Sequence, residues 1–364
     1  MEEIFRTKKL SPIEFAKHVM SLRPLSDSQK GFEDFKKTIV PKDQIRRVNQ
    51  IIRGLEQEDE FAILCRVMGT CESISKLGQS PIINEIEKGP DFLVSFHPGC
   101  TVQGLSKKDI KGKYNCLVEV KSCKKESFKI SKNDLKARKK FPARFGLPLV
   151  FAIRFTLFEG QCYWILINAK TLERQGHKVK IDQLIGSLGP VLFDDYSVFT
   201  HPNLHLLHYY TEDPNLSGIR HENYGVLIKT YLLLPDLKPI ELEENVPVLI
   251  NAVLNCFKFK TVKTEKDGEV SSVISHIGSQ ARFLSDMIYR TNNLPKDRYG
   301  QIVYDPTSIV SRFDSQNEKP TLITREMVEW VINYLNSKAI MFFLVGIGEP
   351  KEQEKVLRAL MRKG

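Results

Sequence analysis

Three charged side chains sit in stretches that otherwise read as buried strands. Asp91 opens the apolar stretch Pro90 to Phe96, and Glu119 and Lys121 fall in the middle of a second one, Asn115 to Ser122. Nearly unbroken apolar runs bounded by turn formers read as short strands covered on both faces. Residues two apart in a strand point to one face, so the Glu119 carboxylate and the Lys121 ammonium emerge side by side. Burying ionised groups is costly unless they pair or bind a metal. Two converging carboxylates, Asp91 and Glu119, repel each other, and a divalent cation between them removes that penalty. Oxygens from Asp91, Glu119 and the Val120 carbonyl make a donor set for a hard cation, Mg2+ or Mn2+.

The neighbouring elements must hold these groups in place. Asp43 to Leu77 lacks proline and has only two glycines, Gly54 and Gly69, which predicts a long helix. Phe61, Leu64, Met68 and Cys71 trace its apolar face, with Ile63 and Val67 beside it. Pro81 to Glu87 reads as a strand whose Glu85 and Glu87 alternate toward the same region. Lys88 to Pro90 is a turn, and His97 to Lys113 is a polar loop with four lysines. Ser131 with Asp134 forms a capping box, and Ile130 with Leu135 a hydrophobic staple, which together start a helix. On it Lys132, Lys136, Lys139 and Lys140 fall on or near one stripe. Pro142 interrupts that helix and Gly146 ends it. Pro148 to Phe155 and Gln161 to Asn168 are two further buried strands.

The net charge of +10 is concentrated around these elements. Residues 105–145 hold fourteen Lys or Arg against four Asp or Glu, an excess of ten that equals that of the whole chain. The remainder is neutral on balance, so the basic field surrounds the acidic pair and favours an anionic partner.

Pro90-Asp91 followed by Glu119-Val120-Lys121 resembles the PD-(D/E)xK nuclease superfamily. The run from Ser131 to Arg154 is similar, more narrowly, to the archaeal Holliday-junction resolvase branch. The resemblance spans residues 45–170. It implies an α/β, restriction-endonuclease-like core with a mixed central sheet flanked by helices. It also implies metal-dependent hydrolysis of phosphodiester bonds in double-stranded or branched DNA, with Lys121 orienting or activating a water. In that fold the first helix often donates a further carboxylate. Glu60 is the choice here because it stacks with Leu64 and Val67, with Glu58 and Glu72 as alternatives. Ser122, Lys124, Lys125, Lys132, Lys136, Lys139 and Lys140 are the expected backbone contacts, which supply affinity without sequence specificity. An RNA-directed nuclease, or a catalytically silent nucleic-acid-binding or assembly protein on the same fold, are the alternatives.

At 364 residues the chain is long enough for two domains. The expected division is a helical segment 1–44, a nuclease-like domain 45–175 and a connector 176–220. A C-terminal domain, 221–364, follows; it is α/β or mostly helical and serves recognition, partner binding or dimerisation. Helices are expected over Ser11–Ser21, Asp27–Thr38, Glu244–Phe257 and Val270–Tyr289, and from Thr324 to Leu335, with a strand over Ala339–Val345. Gly346 and Gly348 read as a tight turn. His201, His205 and His208 have helical spacing for a zinc cluster, but Pro202 favours an aromatic-rich loop. Seven cysteines without a CxxC pair read as reduced thiols of a cytoplasmic protein. No N-terminal signal is apparent, and the longest apolar run, 339–347, is too short to span a bilayer.

Overall fold

The computed structural model describes residues 12–22, 29–77, 89–99, 101, 110–157, 162–213, 215–243, 246–266, 269–292, 322–337, 340, 343–345 and 351–361. Three helices come first: α1 (Pro12–Leu22), α2 (Gln29–Ile39) and α3 (Ile45–Val67). A five-stranded mixed sheet follows. Its strands are β1 (Cys71–Lys76), β2 (Phe92–Phe96), β3 (Tyr114–Cys123), β5 (Leu149–Phe155) and β6 (Tyr163–Asn168), in the order β1-β2-β3-β5-β6. Only β3 and β5 run parallel. A parallel pair needs a crossover, supplied here by the short strand β4 (Ser127–Lys129) and helix α4 (Lys132–Arg144). Helix α5 (Ala169–Arg174) and strand β7 (Lys178–Lys180) follow, β7 pairing with β4.

Alternation along the strands gives this sheet two apolar faces. Phe92, Val94, Val118, Val120, Val150 and Ala152 pack with Phe61, Leu64 and Met68 of the α3 region. Leu117, Phe151 and Ile153 pack on the other side with Leu135 of α4 and Leu172 of α5. Helix α4 begins as its sequence dictates, the Ser131 hydroxyl accepting the Asp134 N–H at 3.1 Å. It does not stop at Pro142, which falls in the last turn, and Gly146 closes it at φ +64.

The second half is richer in strands than expected. It comprises α6 (Gly189–Leu192), β8 (Ser197–Phe199), β9 (His205–Thr211), β10 (Arg220–His221), β11 (Gly225–Leu233), β12 (Ile240–Glu241) and α7 (Pro247–Leu254). Then come β13 (Lys258–Lys266), β14 (Glu269–Ile277), β15 (Arg282–Phe283), α8 (Leu284–Thr291), α9 (Arg325–Ser337), β16 (Phe343–Val345) and α10 (Lys351–Met361). An antiparallel sheet runs β10-β11-β9-β14-β13, with β12 added to β11. The helix expected over Val270–Tyr289 is therefore β14, β15 and α8 instead. Val270, Val273, Ile274 and Ile277 fit a helical repeat, but β-branched residues favour a strand where neighbours are available to pair. Strand β9 lies before residue 220 yet pairs with both β11 and β14. One buried apolar cluster joins Phe61 and Trp164 to Ile250, Leu335 and Ile340, so the core is continuous across residue 220. Gly225, at φ +81, starts β11 where a Cβ would lie 2.3 Å from the Thr211 carbonyl oxygen of β9, which only glycine avoids. No helix among the described residues is long and apolar enough to cross a membrane.

Helix α8 is capped from outside. Buried Asp195 accepts the Ser285 N–H at 3.0 Å and the Ser285 hydroxyl at 2.5 Å. Burial pushes its carboxyl from an ordinary 3.8 up to about 6, against the Ser285 hydrogen bonds that pull it down. The folded value exceeds the unfolded one, so the ionised form costs stability at neutral pH, by about 3 kcal/mol. That cost disappears as pH falls through about 6 toward the unfolded value. Asp195→Asn keeps an acceptor for the helix N–H, and the Ser285 hydroxyl can turn to accept from the amide. The variant is expected to be more stable at neutral pH and to lose the rise in stability on acidification, as urea titrations across pH will read.

Candidate active site

Strand pairing sets the geometry. Phe92 lies opposite Val118, so continuing the antiparallel register places Asp91 opposite Glu119. The Asp91 N–H donates to the Val118 carbonyl at 2.9 Å, and its Oδ2 accepts the Val120 N–H at 2.6 Å. The carboxylate thus takes the place of the next ladder acceptor just where β2 begins. Phe92 and Val94 turn toward α3; Asp91, alternating with them, turns toward α4, the side shared by Leu117, Glu119 and Lys121. Asp91 is 4% exposed and Glu119 2%.

The Lys121 ammonium donates to Glu119 Oε1 and to the Val120 carbonyl, the latter at 3.1 Å. A second cation, not singled out by the sequence reading, joins it: Arg138 of α4 pairs through Nη1 with the same Oε1 and through Nε with Asp134 at 3.2 Å. Arg138 follows the buried Leu135 by three residues and so falls on the inward side of α4, a spacing hidden inside a run of basic residues. Burial pushes the Glu119 carboxyl above its usual range; Lys121 pulls it down, Asp91 pushes it up and Arg138 pulls it down. Both cations meet the same carboxylate oxygen, Oε1.

Glu60 is elsewhere. It accepts Arg154 Nε at 2.6 Å, and Arg154 Nη2 donates to the Tyr289 hydroxyl at 2.7 Å. Arg154 alternates with Val150 and Ala152 on β5, so this pair lies on the α3 face, with the sheet between it and the Asp91–Glu119 pair. Burial raises the Glu60 carboxyl and Arg154 pulls it back. The expectation of Glu60 as the third site carboxylate is corrected on this ground: helical periodicity gives the side of α3 but not the partner waiting there. Glu58 and Asp59 reach the sheet edge instead. They pair with Lys76 at 3.1 and 3.2 Å, and Lys76 lies opposite Phe92, the residue after Asp91. Glu72 sits at the far end of β1, on Lys113 at 2.5 Å. Glu85 and Glu87 lie outside the described residues, as do Gly346 and Gly348.

Of the basic residues, Lys124 and Lys125 are exposed in the turn after β3, and Lys132, Lys136 and Lys140 are exposed along α4. Lys139 instead joins α4 to α5 through Glu173 at 2.5 Å. Ser122 is half-buried in β3. The histidines do not gather. His205 and His208 lie on strand β9, not a helix, and an odd spacing sends them to opposite faces. His208 is buried against the Thr230 hydroxyl at 2.9 Å.

Among the described residues no three His, Cys, Asp or Glu side chains gather to hold a metal. The donors present are two facing carboxylates with a carbonyl beside them, a chemistry that suits a hard divalent cation completed by water and phosphate oxygens.

The sequence matches no protein-family model and no curated protein. Among solved structures the chain is similar to Hjc, a Holliday junction resolvase from Archaeoglobus fulgidus, an archaeal hyperthermophile. The similarity has a TM-score of 0.25 and 14% identity, over 35% of this chain and 90% of that one. A likeness of that size assigns no activity.

Proposed function

We propose that this protein is a divalent-cation-dependent nuclease that hydrolyses phosphodiester bonds in DNA at Asp91, Glu119 and Lys121. One observation carries the reading: two buried carboxylates opposite each other on adjacent strands, with an ammonium at one of them, under a lysine-bearing helix. Asp91, Glu119 and the Val120 carbonyl would hold Mg2+ or Mn2+, which when bound draws charge from a scissile phosphate and eases ionisation of a water. The Asp91 bond to the Val120 N–H fixes its own carboxylate and the segment carrying Glu119 and Lys121 with one contact. Lys121, released from Glu119 toward solvent, orients the attacking water and offsets the charge that develops on the phosphate. Lys124, Lys125, Lys132, Lys136 and Lys140 hold the backbone, while Lys139 is committed to Glu173. Cutting both strands of a duplex calls for two such sites, hence a homodimer or a partner held through residues 221–364.

A second reading has its own support. Lys121 and Arg138 together already neutralise Glu119, as they would in a nucleic-acid-binding protein that kept this fold without the chemistry. Incubation with branched DNA, duplex DNA and RNA in Mg2+, in Mn2+ and in EDTA separates the two. Cleavage of DNA in either metal and none in EDTA is the expected result. Intact substrates throughout, with a melting temperature indifferent to Mn2+, would establish the silent reading, and preferential loss of RNA would change the substrate.

A further inference from the structure

Arg138 puts a second positive charge on a carboxylate that Lys121 already neutralises. Asp91 lies opposite Glu119, both cations pair with Glu119, and Asp134 pairs with Arg138 from the other side. By formal charge these five side chains carry one negative charge together. A divalent cation on Asp91 and Glu119 turns that into one positive charge, and a single phosphodiester cancels it. The cluster is neutral only when cation and phosphate are present together, so each guest favours the other.

Arg138 also has two resting places. Its Nη1 meets Glu119, and its Nε meets Asp134, four residues earlier on the same helix, at 3.2 Å. The Asp134 side chain is 27% exposed and that of Glu119 2%, so the second partner is the one nearer water. A guanidinium that leaves Glu119 still has a carboxylate beside it, and Glu119 keeps Lys121. Neither charge is stranded, which is what ordinarily makes breaking a buried pair costly. Only the side chain has to move. Helix α4 itself is fixed by the Ser131 cap, by buried Leu135 and by the Lys139–Glu173 pair. Arginine is also the side chain best shaped to exchange a carboxylate for a phosphate, since its fork fits both.

We propose that Arg138 is a charge latch on Glu119 that makes cation loading depend on bound DNA. In the free protein it sits on Glu119 and weakens the hold of the carboxylate pair on Mg2+ or Mn2+. A phosphate of the bound strand draws the guanidinium off Glu119, with Asp134 retained as its partner, and the pair then takes the cation tightly. By linkage the cation strengthens DNA binding by the same factor. The inference rests on the nuclease reading and adds to it the order in which the site fills.

The test uses binding rather than cleavage. Mn2+ alone is titrated into the full chain and the free ion followed by electron paramagnetic resonance. Arg138→Gln is expected to bind Mn2+ roughly tenfold more tightly than wild type; loss of a residue that merely pins α4 to β3 would weaken binding or leave it unchanged. A labelled DNA junction with phosphorothioate linkages, charged but resistant to hydrolysis, is then bound in EDTA and in MnCl2 and read by anisotropy. Wild type is expected to bind it roughly tenfold more tightly with Mn2+. In Arg138→Gln that enhancement is expected to shrink by the factor gained in the free protein, because the latch is already gone. Arg138→Lys keeps the charge and is expected to stay near wild type in both measurements, and melts in EDTA read whether each variant is folded. Equal or weaker Mn2+ binding by folded Arg138→Gln, or an undiminished enhancement, overturns the latch and leaves the nuclease reading standing. So does Arg138→Lys behaving like Arg138→Gln. No Mn2+ binding by any form, with or without DNA, takes down the nuclease reading as well.

Discussion

Asp91→Asn is expected to lower cation-dependent DNA cleavage by roughly a thousandfold, the scale on which electrostatic stabilisation at a reacting centre is lost, without loosening the fold. The amide oxygen can still accept the Val120 N–H that Oδ2 accepts at 2.6 Å, so β2 and β3 keep their register. What disappears is the charge. With it goes the repulsion that helps push Glu119 upward, so the urea midpoint is expected to hold or rise. The Mn2+-induced rise in melting temperature is expected to vanish, a readout that needs no turnover. Lys121→Met is expected to lose cleavage on the same scale while keeping that rise, because Arg138 still faces Glu119 and both carboxylates remain. Single-turnover cleavage and thermal melts on the two variants check both statements. Undiminished cleavage by Asp91→Asn would remove the carboxylate pair from the chemistry.

Arg325→Met is expected to cost about 3–5 kcal/mol of stability, the scale for breaking one side of a buried ion pair. Arg325 is 5% exposed and donates to the Phe193 and Asp194 carbonyls at 3.0 Å each, to Asp194 Oδ2 at 2.7 Å and to Glu329 at 2.8 Å. Asp194 in turn accepts the Thr101 N–H at 2.6 Å and the Thr101 hydroxyl at 2.7 Å. One guanidinium therefore ties α9 to the turn after α6 and to the segment after β2. Removing it strands a buried carboxylate and two carbonyls together. Adding Asp194→Asn to Arg325→Met is expected to recover part of the loss, since the stranded charge is its main source. Urea unfolding of the single and double variants tests this; a loss under about 1 kcal/mol would mean that water replaces the guanidinium.

The elements around the carboxylate pair could be read from sequence because local signals and tertiary packing agree there. Val94, Val118 and Val150 sit in nearly unbroken apolar runs, and Ser131 with Asp134 announces α4. What was hidden depends on partners distant in sequence. Periodicity places Glu60 on a buried side of α3, but only the fold brings Arg154 and Tyr289 to it. Arg138 is lost among Lys136, Lys139 and Lys140 until Glu119 selects it. In β14 Val270, Val273, Ile274 and Ile277 keep a helical spacing and divide between the two faces of a strand, and only pairing with β9 and β13 makes the segment a strand.

Strand β8 has consequences for how the molecule is made. Its three residues are flanked by β15 and β16, so Ser197 pairs with both Phe283 and Val345. A growing chain emerging from the ribosome reaches Ser197 long before either neighbour exists, and contacts so far apart in sequence close slowly. Val198, fully buried at the end, waits for Arg282 and Leu344 to be made before its strand is flanked on both sides, and it is in that interval, rather than in the finished molecule, that a chaperone would find this protein.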